Sequence, residues 1–336
     1  MEKTLKECLN SERNEEIITK GLICNPIEGL TKTGKPYVDL QIYANGFTMP
    51  AKVWDMGVEE MMERYHLVSG GPVKVHGTIS VNPLSGEKQL CLRDGDIPAL
   101  TALTLSEEEI KALSQATPIG EDEMIKSIST LIDGILPKSS GGESSTPEES
   151  ERNFLRNIAD WAMSRIENTA YYPYGEYCHK EKGGLLAHIY NACHKLCYMV
   201  GTPQFDKRVV LAALLSYRLG VTMNYIVDNT TGVITENREL YEYGSQGQLC
   251  SDYILNWCKP VFDAVGTDWG IVRNYLATIK SLNGLCEPVS VEAAVAKSIV
   301  DSELEVYRVY EATKGIEGDA KGFVKDDGSV RVVYKF

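Results

Sequence analysis

Two groups of residues in this chain have types and spacings suited to chemistry. The first is Tyr37, Tyr43, Lys52 and Trp54, which alternate with aliphatic residues near the N-terminus. Aromatic rings beside a cation on one strand face can stack on nucleobases and meet phosphates, the usual means of holding single-stranded nucleic acid. The second group is Cys178, His179, His188, Cys193, His194 and Cys197. Imidazole and thiolate both ligate zinc, yet these positions fit no standard structural spacing. His188 lies on an otherwise apolar helix face, where a hydrogen-bonded packing residue is expected ahead of a metal ligand. Tyr171, Tyr172, Tyr174 and Tyr177 precede that helix, and rings in such a place are expected to pack between helices with base stacking as the alternative.

The elements that must position these residues follow from periodicity. After the turn Gly34-Lys35-Pro36, Val38, Leu40 and Ile42 alternate with Tyr37, Asp39, Gln41 and Tyr43, so period-two geometry sends the aliphatics inward and both tyrosines outward. Phe47 to Trp54 alternates likewise and puts Lys52 and Trp54 on one side. Helical spacing between Asp55 and Tyr65 leaves Met61, Met62 and Tyr65 as packing residues, and strands over Val73–Val81 and Lys88–Arg93 come next. Three strands, a short helix and two strands is the order of an OB-fold barrel.

From about residue 104 the spacing turns helical. A Ser/Gly-rich run from Pro137 to Pro147 suits a flexible linker. Helices are expected over roughly 147–168, 184–201, 205–219, 246–264, 268–281 and 290–314, then a β-hairpin turning at Asp326-Asp327-Gly328. The expected architecture is α+β: an extension over 1–14, a five-stranded OB-fold β-barrel over 15–100, a helical connector and linker over 101–150, an all-helical domain over 151–320 and a C-terminal hairpin over 321–336.

Composition limits the function classes. The 336 residues carry a formal charge of −13, and residues 15 to 100 hold eight Lys and Arg against eleven Asp and Glu. Tight nonspecific duplex binding, which depends on neutralising phosphates, is disfavoured. No run is long and apolar enough to span a bilayer, and the polar start does not read as a secretory signal, so a cytoplasmic location without membrane contact is expected. Nine cysteines without a CxxC pair argue for reduced thiols.

Two segments resemble the YhaM family of 3′-to-5′ exoribonucleases, which join an N-terminal OB-fold to a C-terminal HD domain. GKPYVDL (Gly34–Leu40) followed by AKVWD (Ala51–Asp55) is similar to the family's barrel strands, and HKEKGGLLAH (His179–His188) resembles its approach to the first metal ligand. The resemblance implies a His-Asp dipeptide and further His and Asp residues around divalent metal, which would activate water for phosphodiester cleavage. Here Tyr217 stands for the histidine and Arg218 for the aspartate. Leu282-Asn283 stands where the family has paired histidines, and Asp252 where it has another. His188 and Asp301 are the family ligands kept. Tyrosine ligates poorly at neutral pH and arginine has no acceptor, so no catalytic residue and no resident metal or other cofactor is expected. Manganese or magnesium would enter only if the site were active.

Three readings follow from this. The leading one is a non-catalytic relative that binds single-stranded RNA or DNA or serves in an assembly, as a homo-oligomer or with a protein partner. The others are an active exonuclease with a rebuilt site and a protein-interaction scaffold without nucleic acid. If the HD geometry persists, the Arg218 guanidinium should fill the metal's place and pair with Asp301 beside His188.

Overall fold

The inward aliphatics of the N-terminal region build a closed barrel. The computed structural model describes residues 2–68, 70–82, 86–114, 120–138, 147–166, 183–199, 204–227, 234–236, 245–264, 269–314, 320–326 and 329–335. After a short helix α1 (Leu5–Asn10) come β1 (Glu16–Leu30), β2 (Pro36–Ala44), β3 (Phe47–Trp54), helix α2 (Val58–Arg64), β4 (Pro72–Val81) and β5 (Lys88–Leu92). The strands join in the order β1-β2-β3-β5-β4, and β4 returns to β1. That order, with a helix between the third and fourth strands, is the OB-type barrel read from the sequence.

Each join has a local cause. Asn45 and Gly46 both take positive φ, as a tight antiparallel turn between β2 and β3 requires. A register shift between Cys24 and Ile27 lets the long β1 bend, pairing with β4 through its first half and with β2 mainly through its second. Val38, Leu40, Ile42, Met49, Ala51, Val53, Val75, Ile79, Leu90 and Leu92 fill the interior, and Met61 of α2 plugs it. A short strand β6 (Leu100–Ala102) pairs antiparallel with the start of β4, and helix α3 (Glu107–Ser114) packs against β1 and β2.

The region that follows is mostly helical: α4 (Glu121–Ile135), α5 (Pro147–Ile166), α6 (Gly184–Cys197), α7 (Lys207–Ser216), α8 (Gln246–Ala264), α9 (Trp269–Leu282) and α10 (Val291–Thr313). A two-stranded ladder, β7 (Tyr225–Val227) with β8 (Ile234–Glu236), interrupts it, so the expectation of an all-helical region is corrected at this point. Helix α7 is buried from Val209 to Ser216 because α4, α5, α6 and α9 pack around it. Asp206 caps its first turn by accepting from the Arg208 amide at 2.9 Å. The chain ends in the hairpin β9 (Ala320–Asp326) and β10 (Ser329–Lys335), with Asp326 opposite Ser329 and turn residues 327 and 328 outside the described residues.

The chain divides into two compact units. One holds Met1–Ala116, Asp228–Ile234 and Arg308–Phe336, so the hairpin groups with the barrel, and the other holds Thr117–Val227 and Thr235–Tyr307. Among the described residues no helix is long and apolar enough to cross a membrane.

Candidate functional site

On the barrel, strand pairing brings three of the four expected residues together. Tyr37 lies opposite Trp54 and Asp39 opposite Lys52 across β2 and β3, so all four side chains share the outer face. The Tyr37 and Trp54 rings stand 5.6 Å apart at 43°. The Lys52 ammonium lies 4.2 Å from the Tyr37 centroid and 5.5 Å from that of Trp54, and pairs with Asp39 at 2.9 Å.

The periodicity did not reveal everything that holds these rings. Gly29 lies opposite Tyr37 on β1, and a Cβ there would come within 2.5 Å of Tyr37 Cζ, so the ring rests on bare backbone. Trp54 donates its indole N–H to Cys91 Sγ at 3.1 Å, and the Arg93 guanidinium lies 5.6 Å from its ring. Ile27, opposite Asp39, is 59% exposed on the same face.

Tyr43 departs from expectation. It was expected to face outward with Tyr37, but it is buried at 8% exposure. Alternation gives its direction correctly, and close by α3 packs on β1 and β2, with Leu113 accepting from the Asn45 amide two residues beyond Tyr43. The outer-face set is therefore Tyr37, Lys52 and Trp54, each half-buried, with the exposed Asp39 and Arg93 added.

In the helical unit His188 is fully buried, between Glu303 at 2.5 Å from Nδ1 and the Tyr217 hydroxyl at 2.5 Å from Nε2. A carboxylate can only accept, so Nδ1 carries the proton toward Glu303 and Nε2 accepts from Tyr217. Asn191 donates to the other Glu303 oxygen at 3.1 Å. Tyr217, His188 and Glu303 thus form a buried chain of hydrogen bonds from α7 through α6 to α10.

The expected pairing of Arg218 with Asp301 is corrected here. Arg218 donates to the Gln246 side chain at the start of α8, while Asp301 is solvent-facing and pairs with Lys297 at 3.4 Å. Two residues along a helix are about 200° apart around its axis, so Asp301 and the inward Glu303 occupy opposite faces of α10. Glu303, which the sequence reading missed, follows Ile299 and Ala296 by four and seven residues on the buried face. Its spacing was a signal, masked by the family's preference for aspartate.

The other positions singled out by the resemblance also serve packing or face water. Asp252 is exposed and accepts from Gln248 at 2.8 Å. Leu282 is half-buried. Asn283 donates to the Tyr217 carbonyl at 3.1 Å and to Ser251 at 3.3 Å, tying the end of α9 to α7 and α8. With both His188 nitrogens engaged and the aspartates facing solvent, this set does not fit a divalent metal. Among the described residues no group of three or more His, Cys, Asp or Glu is placed to hold one.

Of the cysteine and histidine candidates, Cys193 is buried, with its thiol pushed well above the ordinary range by desolvation, whereas Cys197 is exposed. His194 pairs with Ser127 at 2.9 Å. Cys178, His179, Tyr171, Tyr172, Tyr174 and Tyr177 lie outside the described residues.

Fold and site define an α+β protein with an OB-type barrel bearing an aromatic and cationic face, followed by a mostly helical region. No family model matches the chain, and no curated protein matches it. Among solved structures it is similar to the asparaginyl-tRNA synthetase of Entamoeba histolytica in complex with asparaginyl-adenylate, at 8% identity and TM-score 0.22 over 52% of this chain and 37% of that one. It is also similar to RecG bound to a three-way DNA junction, at 11% identity and TM-score 0.24 over 65% of this chain and 32% of that one. The chain thus spans about a third of the length of these structures. Likenesses this slight carry no assignment of activity.

Proposed function

We propose that this chain binds single-stranded nucleic acid through the outer face of β2 and β3, and that its helical unit is a non-catalytic relative of an OB/HD exoribonuclease. One observation carries the binding reading: Tyr37 and Trp54 form a ring pair 5.6 Å apart on the strands that OB barrels use for ligands, with Lys52 beside both. Each base stacked on such a ring is worth about 1–3 kcal/mol and every base has a face to stack, so the contact tolerates sequence. The acidic balance of the barrel keeps the affinity modest, and stacking supplies more of it than charge does.

The non-catalytic reading is supported by what stands at the dipeptide. Tyr217 completes a hydrogen-bonded chain with His188 and Glu303, and Arg218 is tied to Gln246. Such a network braces helices without taking part in cleavage. The reading requires no cofactor and leaves room for a second copy or another protein as an assembly partner.

The test is an assay of the pure protein on end-labelled single-stranded RNA and DNA, with and without manganese or magnesium. The expected result is saturable binding, weakened about tenfold or more by Tyr37→Ala or Trp54→Ala, with intact oligomers in either metal. Metal-dependent shortening abolished by His188→Ala would establish a rebuilt nuclease instead. Absence of binding to either polymer would leave a protein-interaction scaffold, to which the exposed Ile27 and Leu30 on β1 would contribute.

A further inference from the structure

The aromatic pair already holds a cation. Lys52 sits with its ammonium over Tyr37, within reach of Trp54 and bonded to Asp39, and only 18% of its side chain is exposed. A lysine on the outside of a barrel ordinarily extends into water. Here the directly opposed Asp39, itself half exposed, draws it down across the rings. Two rings and a carboxylate around an ammonium is the arrangement by which proteins recognise cationic ligands, and this face meets it from within. A base approaching Tyr37 therefore encounters Lys52 first, because Tyr37 rests on Gly29 and carries the ammonium over its ring.

We propose that Asp39 is a positioning residue that parks Lys52 over the rings in the free protein, and that stacking of a base on Tyr37 moves the ammonium off the ring and onto a phosphate of the bound strand. The inference rests on the single-strand reading of this face. Four flexible methylenes let the ammonium travel several ångströms without backbone movement, which an arginine fork would not do as readily. The exchange gives each partner what it lacks: the base takes the ring, and Lys52 gains a phosphate in place of a carboxylate. Asp39 then sets the affinity by competing with phosphate for one cation.

Four proteins test this: wild type, Asp39→Asn, Lys52→Met and the double variant, each titrated with a fluorescein-labelled uridine oligomer of about twelve nucleotides over a range of salt. Thermal unfolding of each confirms the fold. Asp39→Asn is expected to tighten binding about fivefold, the size of a surface ion pair released. In the Lys52→Met background the same change is expected to give less than about a twofold gain, since Asp39 acts through Lys52. Lys52→Met is expected to reduce the slope of log affinity against log salt by about 0.7, the loss of one phosphate contact on a single strand.

An equal gain from Asp39→Asn in both backgrounds would show simple relief of charge repulsion and overturn the proposal. So would a salt slope unchanged by Lys52→Met. Failure of the underlying reading has a different signature: no binding by wild type, or binding indifferent to Tyr37→Ala and Trp54→Ala.

Discussion

His188 and Tyr217 share a hydrogen bond that neither partner exposes to water, Nε2 to hydroxyl at 2.5 Å with both side chains fully buried. The bond joins the middle of α6 to the residue that ends α7, and Glu303 secures the opposite side of the imidazole from α10. Burial makes the satisfaction of each group matter more than the strength of any one bond, because an unmet polar atom in the core has no water to turn to.

Tyr217→Phe removes only the hydroxyl and leaves Nε2 without its donor. We expect a loss of about 1–3 kcal/mol in a urea titration. A loss below about 0.5 kcal/mol, the size of a neutral surface change, would show that the bond is unimportant to the helical unit.

Manganese at millimolar concentration is expected to leave the melting temperature of the wild type unchanged. A site loaded at a hundred times its dissociation constant would add about 2.7 kcal/mol to stability, easily seen as a shift in a calorimetric scan. A clear upward shift, absent in His188→Ala, would mean that the histidine leaves its protein partners for metal.

Gly29→Val tests the floor beneath Tyr37. The new Cβ would lie 2.5 Å from Tyr37 Cζ, so the ring must leave its seat. Valine suits a strand, and barrel stability should change little. Single-strand affinity should fall about tenfold through the displaced ring, and unchanged affinity in an anisotropy titration would remove Tyr37 from the binding face.

Asp94 contributes to the expected pH dependence of the barrel. Burial acts to raise its pKa, but the Ala99 amide at 3.0 Å, the Tyr65 hydroxyl at 2.6 Å and the Arg64 guanidinium at 2.6 Å outweigh it and hold the carboxyl below its ordinary range. A depressed folded-state pKa gives stability that is present above the unfolded value and is lost as pH falls through the folded one. Stability should therefore decline as the solution is acidified below the usual carboxylate range. Asp94→Asn should cost about 1–3 kcal/mol at neutral pH and flatten that decline in denaturant titrations. An unaltered pH profile would assign the acid sensitivity to other groups.

How far the sequence could be read depended on how local the cause was. Alternation placed Tyr37, Lys52 and Trp54 on one face because strand direction is a property of neighbouring residues. It could not show that Tyr43 is buried or that α3 packs on β1 and β2, since burial there depends on residues far apart in the chain. The succession of three strands, a helix and two strands along the chain was legible for the same local reason, and the six longest expected helices begin and end within a few residues of α5 to α10. The interior partner of His188 was less so. Asp301 matched the residue type that the resemblance implies, whereas Glu303 matched the helical period of the buried positions Ala296 and Ile299, and the period decided which side chain turned inward.

The grouping of residues 308–336 with the barrel has a consequence for synthesis. Strands β1 to β5 can close on one another once residue 92 has left the ribosome, but Lys314, which donates to the Gly46 carbonyl at 2.6 Å and lies over the Phe47 ring at 5.3 Å, has yet to be made. At about 5–20 residues per second that interval is roughly 10–40 s, during which the β2–β3 turn waits for its lysine and the helical unit is translated. The nascent barrel must therefore hold its shape on its own strands until Lys314 reaches the turn beside Phe47.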